Sequence, residues 1–352
     1  KGYLVMSRMN VLGKFKRFII ITIGTILTLI AIVILAVYVL RCSGKKSLYN
    51  EQTNKGMVFE SDSIKMIDSK KYDIEVDGKK YRYNKDILTF LVLGIDKNEK
   101  VTQAKNCVSG GQSDGIFLVV LNPNTKKVDV IVVHRDTVAA IQVYDKEGNF
   151  VKEAEAQICL QHAYGDGMQL SNDRAKDAVS KLFCNLPIHS VTSVNMGAIG
   201  QLNDAIGGVT LESLESFNVD GCVFEEGKEI TLIGKSAYYY TKYRDTSEHY
   251  TAGKRLDRQK QYLSKATMQL IEALKENVGV IVDVYNIGDE YIVTDLSVDE
   301  MTYIGTETAK YSFGNIYTPK GTVDTTMVFE RFNLNVDEFE RMLVDIFYVE
   351  VE

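Results

Sequence analysis

The longest apolar stretch of the chain runs from Phe18 to Leu40 and contains 23 residues without a charge. As a helix it would be roughly 35 Å long, enough to cross a bilayer with some tilt. We therefore expect one transmembrane helix over residues 18–40, because a buried core helix of this length normally has a polar face. A cleaved signal peptide is the main alternative, although its apolar region is usually shorter and ends in small residues.

Basic residues flank this predicted span, with five before it and three shortly after it. The N-terminal excess favours a cytoplasmic N-terminus, since positively charged flanks tend to stay on the cytoplasmic side. Residues 1–17 are then a short cytoplasmic tail, and the chain after residue 40 lies outside the cell. The expected location is the cell membrane, with a single pass.

A polar segment without clear periodicity follows over residues 41–71 and is predicted to be a stalk. Two β-type runs, Tyr72–Val76 and Lys79–Tyr83, then flank Asp77-Gly78, a strong signal for a two-residue hairpin. We therefore expect an extracellular stalk and hairpin over residues 41–85 and a main domain over residues 86–352.

Apolar runs rich in β-branched residues predict three central strands of the main domain, at Thr89–Ile95, Gly115–Leu121 and Val128–Val133. Continuous runs of this length are typical of strands buried on both faces. Helical patterns and further strands follow. The predicted helices are Ala154–Tyr164, Asn172–Phe183, Ala198–Ile206, Lys235–Tyr243, Leu256–Asn277, one that begins at the capping box Ser297–Glu300, and Asp337–Tyr348; the further strands are Ser190–Met196 and Met327–Phe332. This mixture predicts an α/β (α+β) fold with a mixed central sheet flanked by helices on both faces.

The charge of the chain is unevenly distributed. Its 352 residues include 41 basic and 47 acidic ones, yet the first 46 residues hold eight basic residues and no acidic one. The remainder is therefore acidic and repels polyanions, so no nucleic-acid partner is expected. The five cysteines include no CxxC pair, which excludes common zinc and thioredoxin patterns. Whether Cys107, Cys159, Cys184 and Cys222 form disulfides stays open.

Charged residues at the ends of the predicted strands are the first candidate site. Asp96 ends the first strand, Asp114 begins the second, and Arg135-Asp136 follow the third. Motifs of serine hydrolases, zinc proteases and nucleotide-binding loops are absent. Ligands of open α/β sheets bind outside the carboxyl ends of strands, so these side chains could form a site. A structural cluster of ion pairs would show the same pattern.

A second candidate set lies around the start of the predicted helix 256–277 and comprises Lys242, Arg244, Arg255, Arg258 and Gln259. Arg255 and Arg258 are three residues apart and share one helix face. Arginine grips phosphate oxygens with two parallel hydrogen bonds, so the set could clamp a phosphate; a solvated helix face is the alternative. With the two carboxylates, it suggests a metal–pyrophosphate site, because hard oxygen ligands and substrate phosphates usually hold Mg²⁺.

Seven ordered motifs resemble the LytR–CpsA–Psr family over roughly residues 86–270. They are FLVLGID (90–96), GQSDGIFLVVLNP (111–123), VIVVHRDT (130–137), QHAYGDG (161–167), VNMGAIGQLNDAIGGVTL (194–211), LIGKSAYYYTKYR (232–244) and KRLDRQKQYL (254–263). The resemblance implies a Gram-positive envelope enzyme that transfers a teichoic acid or capsule polymer from an undecaprenyl-pyrophosphate carrier to peptidoglycan. It also implies Mg²⁺ as cofactor and an apolar tunnel for the lipid beside the sheet.

The resemblance also gives each candidate residue a role by its position in the motifs. Asp96 and Asp114 resemble the metal-binding aspartates of the family, and Arg135 and Asp136 its arginine–aspartate motif. We take Arg135, Asp136 and Arg244 as the catalytic residues. The expected pyrophosphate-binding set is Arg135, Lys242, Arg244, Arg255, Arg258 and Gln259.

Four departures from the family pattern concern Gln112, His134, Lys242 and the segment 248–254. Gln112 stands where arginine is frequent, His134 where proline is common, and Lys242 replaces the first arginine of an Arg-x-Arg pair. Segment 248–254 lacks the aspartate often found ahead of Arg255. Other functions therefore stay open: a polyprenyl-pyrophosphate hydrolase, a non-catalytic lipid- or glycan-binding relative and, less favoured because the outer domain is acidic and the tail short, a transcriptional attenuator.

Overall fold

A mixed six-stranded sheet forms the centre of the main domain in the computed structural model of the chain. The structure describes residues 25, 28–49, 56–69, 71, 73–245, 251–277, 279–326 and 329–351. The strands are β1 (Ile64–Asp68), β2 (Asp73–Val76), β3 (Lys79–Tyr83), β4 (Leu88–Ile95), β5 (Ser113–Asn122), β6 (Lys127–Val133), β7 (Val138–Tyr144), β8 (Phe150–Gln157), β9 (Ser190–Asn195), β10 (Val209–Glu212), β11 (Phe217–Val219), β12 (Cys222–Phe224), β13 (Glu229–Leu232), β14 (Ile292–Thr294), β15 (Ser312–Tyr317), β16 (Gly321–Asp324), β17 (Arg331–Leu334) and β18 (Tyr348–Val351). The helices are α1 (Thr28–Tyr49), α2 (Leu160–Ala163), α3 (Gln169–Leu182), α4 (Ile199–Ala205, after a 3₁₀ turn), α5 (Lys235–Lys242), α6 (Thr251–Glu276), α7 (Val280–Tyr291), α8 (Val298–Thr308) and α9 (Val336–Phe347).

The central sheet has the strand order β14-β9-β4-β5-β6-β15. β9 runs parallel to β4, and β15 runs parallel to β6. The pairs β4–β5, β5–β6 and β14–β9 are antiparallel. The prediction of a mixed central sheet is thus confirmed, and β4, β5 and β6 coincide with the three predicted apolar runs.

The two faces of this sheet are covered differently. On one face, Leu91 and Leu93 of β4 are fully buried in a hydrophobic core to which α3 and α9 also contribute. On the other face, Val92 and Gly94 of the same strand line a cavity beneath α4 and α6. Successive residues of a strand point to opposite faces, so one strand contributes both to a packed core and to the wall of a cavity.

A smaller antiparallel sheet has the order β1-β2-β3-β18. The predicted hairpin is confirmed: β2 and β3 flank Asp77 and Gly78, whose φ angles are 52° and 77°. A two-residue type I′ turn requires positive φ at both positions, which glycine adopts without strain. The last strand, β18, pairs with β3 and ties the C-terminal segment to the start of the domain.

The N-terminal helix α1 is a candidate membrane anchor, because its apolar window is long enough to cross a bilayer and almost entirely exposed. The predicted tail 1–17 and residues 18–24, 26 and 27 of the predicted span lie outside the described residues. α1 continues beyond Leu40 to Tyr49, where the sequence predicts a stalk. That prediction is wrong for residues 41–49, which are helical and contact the domain, and for Ile64–Asp68, which form β1.

Most other predicted elements occur close to their predicted positions, and the capping box Ser297–Glu300 begins α8. The predicted helix Ala154–Tyr164 is wrong in its first part, since residues 154–157 belong to β8 and only Leu160–Ala163 is helical. β8 pairs with β7 as a hairpin. Of the predicted strand Met327–Phe332, residues 327 and 328 lie outside the described residues, and the observed strand is β17.

Candidate functional site

The guanidinium of Arg135 lies at the centre of the candidate site. Arg135 follows the carboxyl end of β6 and forms an ion pair with Asp114 at the start of β5. Its Nη2 donates a hydrogen bond of 2.6 Å to Oε1 of Gln112, and its Nε lies 3.5 Å from Oδ1 of Asp136. The antiparallel pairing of β5 and β6 brings these groups together. Three oxygen-bearing partners thus fix the orientation of the guanidinium.

The carboxylate of Asp136 is held in turn by Gln157, whose Nε2 donates a 2.6 Å hydrogen bond to Oδ1 of Asp136. The backbone N–H of Asp136 donates to Nδ1 of His134 at 3.3 Å. An imidazole that accepts at Nδ1 carries its proton on Nε2 when it is neutral. Burial lowers the pKa of His134, which favours this neutral form. His134 is therefore a poor proton acceptor in this arrangement.

Arg255 reaches the same site from the first turns of α6. Burial lowers the pKa of Arg255, the nearby charge of Asp114 opposes this shift, and Arg135 and Arg244 add to it. Within the described residues, Arg255 has no hydrogen-bond or salt-bridge partner. A half-buried guanidinium without a direct partner is costly, and an anion bound beside it would offset that cost.

An outer pocket of about 460 Å³ brings several predicted site residues together. Arg135 and Asp136 come from the end of β6, Arg244 follows α5, and Arg255 belongs to α6, so residues far apart in sequence face one space. The pocket is lined by Gln112, Arg135, Asp136, Gln157, Leu160, Arg244, Arg255, Phe329 and Glu330. We call this space the outer pocket.

An apolar channel of about 380 Å³ lies between the central sheet and helices α4 and α6. Its wall includes Val92 and Phe117 from the sheet and Leu202, Leu263 and Leu270 from the helices. Side chains of this kind exclude water and suit a hydrocarbon chain. The described structure thus contains an apolar space of the type that the family resemblance implies.

A narrow void of about 20 Å³ lies between the channel and the outer pocket. It shares Gly115, Phe117 and Gln259 with the channel, and Arg135, Asp136 and Arg255 with the outer pocket. Gln259 is therefore at the junction, where its Nε2 donates to the backbone oxygen of Thr241 at 3.2 Å. The polar and apolar spaces are neighbours that share walls.

Asp96 and Asp114, the two predicted metal ligands, are close enough to influence each other. Burial raises the pKa of Asp114, the charge of Arg135 opposes the shift, and the charge of Asp96 adds to it. Asp96 is exposed, and its Oδ1 accepts a 3.0 Å hydrogen bond from the backbone N–H of Gln112. A cation would relieve the repulsion between the carboxylates, and two such oxygens plus water and phosphate suit Mg²⁺. The described part of the chain holds no cluster of three or more acidic, histidine or cysteine ligands.

Arg258 is placed away from the outer pocket, in contrast to the prediction. It is only 1% exposed, forms an ion pair with Glu215, and donates to the backbone oxygens of Tyr240 at 2.9 Å and of Tyr243. The ring of Phe217 also covers it, 5.1 Å from the guanidinium carbon. A buried guanidinium needs such partners. The structure therefore gives Arg258 a role in joining α6 to the segments around α5 and β11.

Lys242 also lies outside the outer pocket, so its predicted contact with pyrophosphate is not supported. Lys242 ends α5, and the extended backbone of Tyr243 (φ −50°, ψ 135°) redirects the chain before Arg244. The ammonium contacts the hydroxyl of Tyr238 and lies 3.5 Å from Oδ1 of Asn98. Arg244, two residues later, lines the outer pocket instead.

The family model of the LytR_cpsA_psr family matches residues 49–342. The chain belongs to the LytR–CpsA–Psr family. The match confirms the resemblance carried by the seven motifs and extends beyond them on both sides, over β1–β3 and up to α9.

Curated relatives of the chain are named polyisoprenyl-teichoic acid–peptidoglycan teichoic acid transferase TagU. The protein of Bacillus subtilis (strain 168) is 29% identical over 236 residues, which are 66% of this chain and 66% of that protein. The protein of Oceanobacillus iheyensis is 31% identical over 223 residues, 62% of this chain and 61% of that protein. The chain thus spans a little under two thirds of the length of these LytR–CpsA–Psr relatives.

Solved structures of similar proteins share the fold. The crystal structure of B. subtilis TagV aligns with a TM-score of 0.57 at 17% identity and covers 74% of this chain and 97% of that one. B. subtilis TagU aligns with a TM-score of 0.52 at 22% identity and covers 76% and 99%. A structure described as TagT bound to LI-WTA aligns with a TM-score of 0.54 at 18% identity, over 74% and 91%. These similarities confirm the predicted α+β architecture.

Two residues of the site, Gln157 and Cys159, are not predicted from the sequence. Gln157 holds Asp136, and Sγ of Cys159 lies 3.5 Å from Nη2 of Arg135. Burial raises the pKa of Cys159 to about 11, so the group is a neutral thiol at pH 7. The turn residues around Asp145–Asn149 are the signal that could have revealed the β7–β8 hairpin, and with it the position of Gln157.

Proposed function

We propose that this chain is a membrane-anchored phosphotransferase that moves a glycopolymer from an undecaprenyl-pyrophosphate carrier to peptidoglycan, with Mg²⁺ as cofactor. The observation that carries the proposal is the junction between the outer pocket, which holds three arginines, and the apolar channel. The substrate would be an amphiphile with a polyanionic head and a hydrocarbon tail. A lipid-linked pyrophosphate has this form, and the names of the curated relatives describe polyisoprenyl-linked teichoic acid as their substrate.

The arginines of the outer pocket are arranged to bind the pyrophosphate. Arg135 is already oriented by Asp114 and Gln112, so it loses little freedom when it contacts a phosphate oxygen. Arg255 has no direct partner within the described residues and would gain one. Guanidinium groups bind phosphate oxygens in pairs of parallel hydrogen bonds. Arg135, Arg244 and Arg255 are therefore the proposed pyrophosphate ligands, with Gln259 at the start of the channel.

Asp96 and Asp114 are the residues that would hold Mg²⁺. Bound there, the ion would shield phosphate charge beside Arg135 as bonding changes at phosphorus. The acceptor hydroxyl of peptidoglycan attacks the phosphorus that carries the glycan, the bridging P–O bond breaks, and polyprenyl phosphate leaves. Phosphoryl transfer requires positioning and charge neutralisation more than covalent chemistry from the protein, and the fixed guanidinium of Arg135 provides both.

Asp136 is proposed to orient Arg135 and to receive the proton of the acceptor hydroxyl. Its carboxylate faces the outer pocket between Gln157 and Arg135. The neighbouring imidazole of His134 is the weaker candidate, because its Nδ1 accepts a backbone hydrogen bond. An Asp136→Asn variant, which keeps the amide contact but loses the basic oxygen, separates proton transfer from orientation.

The membrane orientation is part of the proposal. The excess of basic residues before the apolar segment supports a cytoplasmic N-terminus, which places the main domain on the side where peptidoglycan lies. Protease added to spheroplasts should then degrade the main domain. Full protection of an inserted protein would indicate the opposite topology and would contradict the proposed function.

A transfer assay with the full chain in detergent tests the function. The mixture contains a glycan-labelled polyprenyl pyrophosphate, peptidoglycan and Mg²⁺, with and without EDTA. We expect Mg²⁺-dependent label in peptidoglycan, and a loss of this transfer in the Asp114→Ala variant with the fold intact. Released free glycan phosphate would favour a hydrolase instead, and no turnover despite lipid binding would favour a non-catalytic relative.

A further inference from the structure

The end of α1 is attached to helix α8 by side chains along nine residues, from Arg41 to Tyr49. Arg41 forms an ion pair with Glu307. The hydroxyls of Ser43 and Ser47 each donate a 2.7 Å hydrogen bond, the first to Asp299 and the second to Glu300. These contacts extend from the first turn of α8 to its last. They therefore fix the direction of α1 relative to α8 as well as its position.

The two helices also approach closely at Gly44. A Cβ added at Gly44 would lie 2.0 Å from the backbone oxygen of Asp299, closer than any side chain can be. Leu48, one turn later, is 1% exposed in a buried cluster that contains Tyr303 of α8 and Ile271 of α6. Close backbone packing at glycine together with a buried leucine is typical of a rigid helix–helix contact. The segment is therefore a joint of fixed geometry.

The polar contacts also locate the membrane surface. Charged groups such as those of Arg41, Glu307 and Asp299 are costly within hydrocarbon, so they lie outside it. The residues of α1 up to Leu40 are apolar and mostly exposed. The hydrocarbon boundary therefore falls near Leu40, and α8 lies at the end of the domain that faces the membrane.

The apolar channel runs between this end and the outer pocket. At the outer pocket its wall contains Gly115 and Gln259. At the other end its wall contains Leu270 and Val119, and Val119 packs against the cluster of Leu48 and Ile271. Leu270 lies eleven positions after Gln259 in α6, which corresponds to a rise of roughly 16 Å. The arginines thus lie at the end remote from the membrane.

We infer that the joint Arg41–Tyr49 orients the domain so that the far end of the channel, at Leu270, faces the bilayer. A polyprenyl chain then passes from the bilayer into the channel along α1 and α8, while its pyrophosphate reaches Arg135 and Arg255. The path of the polyprenyl chain rests on the proposed function, whereas the joint between α1 and α8 does not depend on it. The end of the domain that carries α8 therefore has the lipid bilayer as its partner.

Disulfide cross-linking in membranes tests the joint without any substrate. One full-length variant carries Cys42→Ser, Ser43→Cys and Asp299→Cys; the matched control carries Asp299→Cys and keeps the native Cys42, which is exposed. Mild oxidation should join residues 43 and 299, identified by peptide mapping, and leave residue 42 free. Equal cross-linking of the adjacent positions 42 and 43 would mean a flexible stalk and would overturn the joint.

A substitution at Gly44 tests the lipid path. Gly44→Leu should separate α1 from α8, whereas Cys42→Leu adds the same side chain on the exposed side. We expect Gly44→Leu to lower transfer from a long-chain donor in vesicles at least about tenfold, because the site loses its fixed position at the bilayer, with a water-soluble short-chain donor unaffected. An equal loss of transfer with both donors, or no loss with either donor, would contradict the proposed lipid path. If the unaltered chain uses neither donor, the proposed function fails, and the cross-linking result alone decides whether the joint stands.

Discussion

The packed face and the channel face of the central sheet consist of the same kinds of residue but perform different tasks. On the packed face, Leu91 and Leu93 are 0% exposed and contact a continuous core. On the channel face, Gly94 and Gly115 are direct partners across β4 and β5, and neither carries a side chain where the channel meets the arginines. Apolar character alone does not distinguish a core from a binding site. The feature that distinguishes the binding site from the core is the missing side-chain volume on the channel face.

Helix α6 repeats this contrast with two arginines. Arg258 is enclosed by Glu215, Phe217 and the backbone of α5 and its following residue. Arg255, one turn earlier, faces the outer pocket without a direct partner in the described structure. The first guanidinium serves the fold and the second is available to a ligand, so substitutions at these positions should separate stability from activity.

The largest expected effect is that of Arg258→Ala on folding. The substitution leaves Glu215 and two backbone oxygens without their donor, and breaking a buried pair in this way costs about 3–5 kcal/mol of unfolding free energy. Arg255→Ala should leave stability nearly unchanged but lower transfer by about 10- to 150-fold, the equivalent of one charge-assisted hydrogen bond. Denaturant unfolding and the transfer assay measure both variants. Equal stability of Arg258→Ala and the unaltered chain would contradict the structural role of Arg258 and thus its difference from Arg255.

The packed core and the channel can be compared directly by removing one leucine from the wall of each. Leu91→Ala on the packed face should lower the free energy of unfolding by about 2–5 kcal/mol, because it leaves a cavity in a closed core. Leu263→Ala on the channel wall should cost clearly less, since the space beside it is already open. Urea denaturation in detergent gives both values. Similar losses would indicate that the channel is packed in solution.

Low pH should destabilise the folded domain through His189, which directly precedes β9. Burial lowers the pKa of His189 to about 4, and its Nδ1 accepts from the backbone N–H of Thr89 at 3.0 Å. As the pH falls below 6.5, the unfolded chain binds a proton that the folded chain excludes, so the free energy of unfolding decreases by up to about 3 kcal/mol as the pH approaches 4. His189→Gln should flatten this dependence. An unaltered pH profile in His189→Gln would contradict the assignment.

The smallest expected effect concerns Lys242, which lies outside the outer pocket. Lys242→Ala should change transfer by no more than about twofold, as expected for an exposed contact. Arg244→Ala should reduce transfer much more, because Arg244 lines the outer pocket. Steady-state kinetics of the two variants decide the matter. A severe loss of transfer in Lys242→Ala would instead indicate that Lys242 contacts the pyrophosphate.

Much of the fold could be predicted because its strongest signals are local. The runs that became β4, β5 and β6 are apolar and β-branched, and Asp77-Gly78 and Ser297–Glu300 specify a turn and a helix start by their own chemistry. The segment Phe150–Gln157 is different. Its Lys, Glu and Ala residues favour helix, but its pairing with β7 makes it a strand, and its exposure leaves no apolar alternation to reveal this.

The site was harder to predict because spacing fixes a helix face but not what lies opposite that face. Arg255 and Arg258 differ because tertiary contacts with Glu215, Phe217 and the backbone at the end of α5 enclose Arg258 alone. Lys242 and Arg244 differ because the helix ends between them. Asp114 and Arg135, at the adjoining ends of neighbouring strands, could be paired from the sequence since the strand order followed from short connections.

We propose above that the outer pocket and the channel bind the head and the tail of one amphiphile. The most direct test of this proposal is equilibrium binding of undecaprenyl pyrophosphate and of inorganic pyrophosphate to the unaltered chain and to Gly94→Leu. A Cβ at Gly94 would have its nearest neighbour at 3.6 Å, so the backbone can accept a side chain that fills the channel end. We expect the variant to bind the lipid at least about tenfold more weakly, through lost apolar contact, and to bind inorganic pyrophosphate with unchanged affinity. Equal affinity of both proteins for the lipid would contradict the proposal.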